Sequence, residues 1–194
     1  MYWVSTHQAI FRWILKILAQ DGLITGKTLA VDATTLEANA ALRSIVRRDT
    51  GQGYDDYVRD LVRHAGVERP TREQLACFDR TRKKKGSNRE RKSPHDPDAR
   101  ITKMKDGRTH LAHKAEHAVD LASGAIVAVT VQGADTGDTQ TLTEAQRVVK
   151  RVCGKKVHEV VADKDYHSGE VLEHLLQEEE VRICIAEPDR GRRQ

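Results

Sequence analysis

Two aspartates follow short apolar runs and carry the clearest chemical signal in this sequence. Asp32 closes the run at residues 28–31, and Asp163 closes a similar run at residues 160–162. Short Val/Leu/Ile runs that end in turn-type residues predict central β-strands. Open α/β sheets gather functional side chains at their strand ends. If these two strands are neighbours, their carboxylates can hold a divalent cation, and the pattern predicts a metal-dependent phosphoryl-transfer site.

The elements that must position these aspartates alternate between helices and strands. Residues 5–20 predict an amphipathic helix, and we expect its apolar stripe to pack against the sheet. That stripe comprises Ile10, Trp13, Ile14, Ile17 and Leu18. After the first strand we expect a hairpin at 111–132, a helix at 139–152, the Asp163 strand, a helix at 169–179 and a strand at 181–186. This order predicts an α/β fold with a mixed sheet flanked by helices.

The domain organisation follows from a change of pattern after the first strand. We expect an N-terminal helical segment at 1–26 and a sheet domain at 27–194, with an insertion at 43–100. Residues 34–41 predict a loop or a short helix. Short helical patterns occupy 55–64 and 71–83 within the insertion, and Thr71 with Gln74 fits a capping box at the second helix start.

A basic run follows these helices at residues 80–92. Eight of its thirteen residues are Lys or Arg, although the whole chain carries only +4, from 33 basic and 29 acidic residues. Such a run is either a solvated loop or a contact for the phosphate backbone of nucleic acid. The insertion is therefore predicted to combine small helices with a basic loop.

The composition excludes several classes of protein. The 194 residues are 38% hydrophobic, which is enough for a modest core. The sequence has no secretory signal and no apolar run near the ~20 residues of a membrane helix. Its three cysteines form no C-x-x-C pair, which predicts reduced thiols in a cytoplasmic protein rather than a disulfide scaffold.

Four segments together resemble the insertion-sequence DDE transposases. Residues 28–40 resemble the first-aspartate segment of that family, and residues 161–168 resemble its second-aspartate segment. Residues 113–120 and 129–138 are similar to its second and third strands. The resemblance runs from about His7 to the last residue. It implies a ribonuclease-H-like fold, in which two aspartates and a glutamate bind two divalent cations that cut DNA and join its 3′-hydroxyl to a target.

The resemblance assigns roles to both aspartates. Asp32 matches the first aspartate and would bridge the two cations, and Asp163 matches the second and would bind one. Mg²⁺ or Mn²⁺ is the cofactor that this implies. The family's glutamate lies on a helix beyond the last residue of this sequence, so no residue takes the third catalytic role. We therefore expect a truncated transposase with little or no activity. Asp165 stands where the family usually has glycine.

The resemblance also implies partners. Transposon ends and target DNA are the expected nucleic acids, and a second copy or a full-length transposase is the expected protein partner. The side chains expected to contact DNA are Arg82, Lys83, Lys84, Lys85, Arg89, Arg91, Lys92, Lys114, Lys164 and His167. The expected location is the bacterial cytoplasm, in association with the nucleoid. The alternative function is a catalytically dead remnant that binds DNA or a transposase.

Two other readings of the residues stay open. The segment around Asp32 is also typical of haloacid-dehalogenase-type phosphatases, although these usually carry a second carboxylate where this chain has Thr34. His110, His113 and His117 have spacings that would suit zinc on a helix. Because this stretch predicts a strand, only His113 and His117 would share a face, and surface histidines are the simpler interpretation.

Overall fold

The computed structural model describes residues 2–82, 87–153, 156–177 and 181–187. Its α-helices are α1 (Tyr2–Gln20), α2 (Tyr54–His64), α3 (Arg72–Thr81), α4 (Asp138–Cys153) and α5 (Gly169–Gln177). Its strands are β1 (Thr28–Glu37), β2 (Val46–Arg47), β3 (Arg91–Lys92), β4 (Arg100–Lys103), β5 (Thr109–Asp120), β6 (Ala125–Gly133), β7 (Glu159–Ala162) and β8 (Arg182–Ile185). Short 3₁₀ turns occupy Leu42–Ser44 and Lys164–Tyr166. The fold is mixed α/β, with a mixed sheet flanked by helices.

The chain divides into two compact units, and the strands β1 and β5 belong partly to each. Unit 1 comprises Met1–Thr34, Ala115–Val131 and Thr136–Gln194. Unit 2 comprises Thr35–Lys114 and Gln132–Asp135. The predicted N-terminal segment at 1–26 lies in unit 1. The predicted insertion at 43–100 lies in unit 2, which also includes the last residues of β1 and the first residues of β5.

Unit 1 contains the sheet that the two apolar runs form. The six-stranded sheet has the order β4-β5-β1-β7-β8, and β6 also pairs with β5. β7 pairs in parallel with β1 on one side and with β8 on the other. The hairpin of β5 and β6 and the parallel strands were both predicted from their patterns. Parallel strands buried by helices read as continuous apolar runs, which is why the segments around Val31 and Val160 were recognisable.

A buried aspartate organises the turn of the β5–β6 hairpin. Asp120 is fully buried and accepts hydrogen bonds from Thr25 N at 2.8 Å and Thr25 Oγ1 at 3.3 Å. It also accepts from Ala122 N at 3.3 Å and Ser123 Oγ at 3.2 Å within the turn. Gly124 closes the turn with a φ of 72°, a conformation that side chains disfavour. Asp120 therefore joins the hairpin turn to the segment before β1.

The core of unit 1 lies between its sheet and the helices α1 and α4. Leu29, Val31 and Val160 contribute from the strands, and Leu142 and Val149 contribute from α4. These side chains are at most 3% exposed. α1 packs against α4, and α5 packs against α4 and β8. Burial of this apolar surface is the main stabilising contribution in the unit.

The prediction of the buried face of α1 was wrong. Of the predicted stripe, Ile10, Trp13, Ile14 and Ile17 are exposed, and Trp13 is 63% exposed. Leu15 is buried instead, with Phe11, Leu18 and Ala19 packed beside it. α1 carries two apolar stripes, one at 10/13/14/17 and one at 11/15/18. Periodicity alone cannot choose between them, because both have helical spacing.

Unit 2 combines two helices with short strands. β4 pairs antiparallel with residues 109–112 of β5, and β2 pairs antiparallel with β3. The helices α2 and α3 pack against each other, and Val58 and Val62 of α2 are buried. A small separate core contains Ala38, Ile45, Ala99 and Leu111.

The start of α3 confirms the predicted capping box. Thr71 Oγ1 accepts from Gln74 N at 3.3 Å, and Gln74 Oε1 accepts from Thr71 N at 2.8 Å. Two otherwise unpaired amides at the helix start are thereby satisfied. Leu75 and Phe78 of this helix are half-buried.

Two features of this region differ from the predictions. β1 continues to Glu37 in place of the loop or short helix expected at 34–41, because it still pairs with β5 there, as the bond from Ala38 N to Leu111 O illustrates. The strands β2, β3 and β4 were not predicted, because two to four residues are too few to show alternation. Within the described ranges, none of the helices combines the length and apolar character needed to cross a lipid bilayer.

Candidate functional site

Asp32 and Asp163 lie side by side on neighbouring parallel strands. The β1–β7 register pairs Leu29 with Val160 and Val31 with Ala162. Asp32 is the next residue of β1, and Asp163 directly follows the last residue of β7, where neighbouring strands are about 4.8 Å apart. β7 ends at Ala162, whereas β1 continues beyond Asp32. The pairing of the two strands therefore ends at this pair of aspartates, which we call the carboxylate pair.

Local hydrogen bonds orient both carboxylates and leave oxygens available. Asp32 Oδ1 accepts from the next amide, Ala33 N, at 2.8 Å. Asp163 Oδ1 accepts from Asp165 N at 3.1 Å and so caps the turn Lys164–Tyr166. Both side chains are exposed, and within the described residues these bonds use only Oδ1 of each carboxylate. Oδ2 of both aspartates is thus open to a ligand.

The donor set of the carboxylate pair suits a hard divalent cation. Mg²⁺ and Mn²⁺ prefer carboxylate, phosphate and water oxygens, and Mg²⁺ is often bound by one or two carboxylates. Asp32 and Asp163 would hold such an ion as two of its ligands. Among the described residues, no group of three or more His, Cys, Asp or Glu side chains is arranged to hold a metal ion.

Buried polar groups lie close to the carboxylate pair and were missed by the sequence analysis. Tyr166 follows Asp163 by three residues and is 2% exposed, and Glu116 of β5 is 1% exposed. Burial raises the pKa of the Tyr166 hydroxyl far above its usual range, and the charges of Glu116, Asp138 and Asp32 raise it further. A glutamate within an apolar strand was the only signal that could have revealed Glu116.

The other predicted side chains near the carboxylate pair lie on the turn that follows β7. Lys164 is exposed on this turn, and Asp165 beside it is exposed as well. His167 is half-buried, and its Nδ1 is buried without a hydrogen-bond partner. Lys164 is therefore the better placed of the two predicted DNA contacts to reach a phosphate.

The basic residues of unit 2 differ widely in exposure. Arg89 is exposed and Lys92 is half-buried, whereas Arg91 is 2% exposed and Lys114 is 8% exposed. The predicted DNA contacts Lys83, Lys84 and Lys85 lie outside the described residues. Arg89 and Lys92 thus stay available as phosphate contacts, and Arg91 does not.

Arg91 was predicted to contact DNA, and its burial corrects that assignment. Its guanidinium lies 4.2 Å from the ring centroid of Tyr57 and 5.4 Å from that of Tyr54. Arg91 Nη1 is buried without a hydrogen-bond partner. Burial lowers the pKa of Arg91, and the charges of Arg47 and Arg82 lower it further. The side chain packs inside unit 2 because a guanidinium favours the face of an aromatic ring.

Arg82 belongs to the same group of side chains. Its guanidinium lies 5.6 Å from the centroid of Tyr57, and it donates to Tyr54 Oη at 2.9 Å and to Asp79 Oδ1 at 3.0 Å. Its side chain is 15% exposed. Arg47 also packs over Tyr57, at 5.4 Å, and forms an ion pair with Asp49. We call these residues, Arg47, Tyr54, Tyr57, Arg82 and Arg91, the arginine–tyrosine cluster.

The predicted surface histidines bind carboxylates in unit 2. His110 Nδ1 lies 2.7 Å from Glu37 Oε1, and its Nε2 lies 3.0 Å from Asp106 Oδ2. These hydrogen bonds raise the pKa of His110, the one to Glu37 most strongly. His113 Nε2 lies 2.8 Å from Asp96 Oδ2, and this contact lowers the pKa of Asp96. The ring nitrogens of His110 are thus engaged by carboxylates, an arrangement that does not favour the zinc interpretation.

The comparisons with known proteins do not assign the chain to a family. No protein-family model matches it, and no match was found among curated proteins.

Proposed function

We propose that this chain is part of the catalytic domain of an insertion-sequence DDE transposase, and that it binds Mg²⁺ or Mn²⁺ at Asp32 and Asp163. The observation that carries the proposal is the β1–β7 register, which sets these two distant residues side by side. Separate strand-end aspartates that only cap a following turn have no reason to be paired in this way. The mixed sheet flanked by helices is compatible with a ribonuclease-H-like fold.

The proposed chemistry is attack on a phosphodiester by water or a 3′-hydroxyl. A divalent cation bound here would supply positive charge to the phosphate oxygens as negative charge builds on them. Asp32 and Asp163 hold their carboxylates outward at the exposed end of the strand pairing. The backbone bonds to Ala33 and Asp165 fix Oδ1 of each, so little reorganisation is needed when a ligand binds.

The proposed nucleic-acid partner is DNA, either transposon ends or target. Lys164 is exposed one residue after Asp163 and would contact a phosphate next to the one at the carboxylate pair. In unit 2, Arg89 and Lys92 are proposed to add contacts to the phosphate backbone, together with Lys83, Lys84 and Lys85 of the basic run. Such contacts are independent of sequence and weaken with salt. A second copy or a full-length transposase is the proposed protein partner.

One observation favours a second candidate function, a module that binds DNA without cutting it. Two carboxylates converge on neighbouring strands, but the described residues arrange no group of three around a metal ion. Two-metal cleavage requires a more complete ligand shell than two carboxylates provide. The second candidate therefore predicts DNA binding with no strand cleavage by this chain.

Metal-dependent DNA binding tests the proposal and separates the two candidates. Fluorescence anisotropy of a labelled duplex should show about tenfold tighter binding in Mn²⁺ than in EDTA, since a cation would join the carboxylates to a phosphate. Asp32→Asn and Asp163→Asn should abolish this gain, and Asp21→Asn, at an exposed aspartate after α1, should retain it. Equal affinity of the unchanged chain with and without Mn²⁺ would overturn the metal site. Nicking of supercoiled plasmid in Mn²⁺ would exclude the second candidate.

A further inference from the structure

The strands β1 and β5 are joined by one antiparallel register. Leu121 N donates to Thr28 O at 3.0 Å at one end of the ladder, and Ala38 N donates to Leu111 O at 2.8 Å at the other. In an antiparallel ladder such bonds join residues that lie directly opposite each other. Counting inward from either bond gives the same pairs, so the register is fixed for the residues between them.

This register sets His117 of β5 directly opposite Asp32 of β1. The two residues form a hydrogen-bonded pair of the ladder, in which the Cα atoms are about 5.5 Å apart and the side chains share one face of the sheet. Asp163 flanks Asp32 on the other side, at the end of β7. His117, Asp32 and Asp163 therefore form a line across three neighbouring strands, which we call the polar row.

The face of the sheet that carries the polar row is the more open one. On the opposite face, Leu29 and Val31 of β1 are at most 3% exposed. Ala118 belongs to the same core as Val31 and is 1% exposed, so its neighbour His117 points to the other face, with Asp32. His117 is half-buried and Asp32 is exposed. The burial pattern thus agrees with the register.

The His117 ring is available to a ligand. The other two histidines of β5, His110 and His113, bond to carboxylates, whereas the His117 ring makes no hydrogen bond or ion pair within the described ranges. Asp32 does not accept from it, because its bond is to Ala33 N. An imidazole carries at least one N–H donor in either charge state. This ring can therefore donate to an acceptor that lies over the polar row.

A phosphate oxygen is the acceptor that this arrangement suits. The proposed cation lies between Asp32 and Asp163, whereas His117 lies on the far side of Asp32. A phosphate that shares the cation and extends over Asp32 presents an oxygen to the imidazole. Without the cation, the two carboxylates repel a phosphate. The contact of His117 with a phosphate is therefore expected only when the cation is bound.

We propose that His117 contacts the substrate, and that its imidazole N–H donates to an oxygen of the DNA phosphate held by the cation at Asp32 and Asp163. The cation and the imidazole then hold one phosphate from two sides, which orients it at the polar row. This inference rests on the proposed function, because it requires both the cation site and DNA.

Duplex affinity and Mn²⁺ affinity, measured separately, test the proposal. Anisotropy of a labelled duplex reports the first, and the electron paramagnetic resonance signal of free Mn²⁺ reports the second. His117→Ala should weaken duplex binding in Mn²⁺ about fivefold, as expected for one hydrogen bond, and should leave duplex binding in EDTA and Mn²⁺ binding within about twofold. His158→Ala, at an exposed histidine before the opposite end of β7, should change none of these values.

Two further variants isolate the hydrogen bond from the packing of the half-buried side chain. His117→Gln and His117→Met have similar lengths, but only glutamine keeps an N–H donor. In Mn²⁺, His117→Gln should bind the duplex within about twofold of the unchanged chain, and His117→Met should show the fivefold loss. The same affinity for both would overturn the hydrogen bond, even where His117→Ala is too unstable to measure.

The remaining outcomes separate this inference from the proposed function. If Mn²⁺ tightens duplex binding and Asp32→Asn abolishes that gain, but His117→Ala binds as tightly as the unchanged chain, only the role of His117 is overturned. A fall in Mn²⁺ affinity beyond the expected range would make His117 a cation ligand and would also overturn it, as would equal losses in EDTA and in Mn²⁺. If Mn²⁺ does not tighten duplex binding by the unchanged chain, the proposed function fails and this inference fails with it.

Discussion

The carboxylate pair was predicted to bind a cation, and Arg82 and Arg91 of the arginine–tyrosine cluster were predicted to contact DNA, but the aspartates are exposed and the two arginines are packed on aromatic rings. Asp32 and Asp163 are exposed, and Oδ1 of each accepts a hydrogen bond from a backbone amide one or two residues later. Arg82 and Arg91 are instead packed over two tyrosine rings, and Arg91 is 2% exposed. Charge that stays exposed can serve a ligand, whereas charge that stacks on aromatic rings stabilises the fold.

The difference has a physical origin in the chain around each group. The residues before Asp32 and Asp163 are apolar and form buried strands, so the polar residue that ends each run remains at the surface. Arg82 and Arg91 lie near the two ends of the basic run, and Tyr54 and Tyr57 on α2 provide apolar faces on which a guanidinium can lie. Lysine hydrates more strongly than arginine and stacks less well, so the lysines of the run are the better candidates for phosphate.

Replacing the buried Asp120 should have the largest effect on stability. The size of this loss is the reference against which a structural role for Asp32 can be judged. Asp120→Ala leaves Thr25 N and Ala122 N without their acceptor and should lower the free energy of unfolding by about 3 kcal/mol. Asp32→Ala should change it by less than ~0.5 kcal/mol, since the side chain is exposed. Urea denaturation measures both. A loss at Asp32 as large as that at Asp120 would make Asp32 a structural residue.

The arginine–tyrosine cluster predicts the next largest loss. Arg91→Ala removes a guanidinium that packs on Tyr57 and Tyr54, and should lower the free energy of unfolding by about 2 kcal/mol. Arg91→Met keeps most of the packing and should cost less than ~1 kcal/mol.

The matched control for Arg91 is the exposed Arg89. Arg89→Ala should change the free energy of unfolding by less than ~0.5 kcal/mol. Duplex affinity should respond in the opposite way, with a loss for Arg89→Ala and none for Arg91→Met. Weaker DNA binding by Arg91→Met at unchanged stability would return Arg91 to the set of DNA contacts.

The basic run at residues 80–92 is expected to affect DNA affinity and not stability. Replacement of Lys83, Lys84 and Lys85 by Ala should weaken duplex binding about tenfold and reduce the slope of log K against log salt by up to about 2.7, one contribution of about 0.9 for each lost phosphate contact. Lys103→Ala, at an exposed lysine of β4, serves as the comparison. The same affinity and slope in the triple variant would show that the run is only a solvated loop.

His110 is expected to make a small contribution to stability that depends on pH. Glu37 and Asp106 raise its pKa in the folded protein above the ordinary value of about 6.5. The stabilisation by charged His110 is therefore fully present below that ordinary value and is lost as pH rises through the raised pKa. The urea midpoint of the unchanged chain should fall over this window more than that of His110→Gln. Parallel curves for the two proteins would contradict the ion pairs.

Sequence patterns correctly predicted the parts of this fold that depend only on residues close together in the sequence. The Thr71–Gln74 capping box needs only a four-residue spacing, and the strands before Asp32 and Asp163 need only a short apolar run with a turn after it. The buried face of α1 was mispredicted because Leu15 and Trp13 both lie on helical stripes, and tertiary contacts decide between them. Strands as short as β2 carry no alternation to detect.

Some residues of the candidate site could be predicted from the sequence, and others could not. Asp32 and Asp163 were found because their runs are alike, and the sheet order brings those runs together. Glu116 and Tyr166 were not predicted, because their burial depends on tertiary packing and not on neighbouring residues in the sequence. Arg91 was misassigned because nothing in the basic run indicates that Tyr57, more than thirty residues earlier, lies against it.

Paramagnetic broadening by Mn²⁺ is the most direct test that the paired aspartates form one cation site. In amide spectra of the labelled chain, substoichiometric Mn²⁺ should broaden the signals of Asp32, Ala33, Asp163 and Lys164 together, and Asp163→Asn should protect both strands at once. Broadening confined to one strand, or none near either aspartate, would contradict the account, because the two carboxylates would then not share an ion.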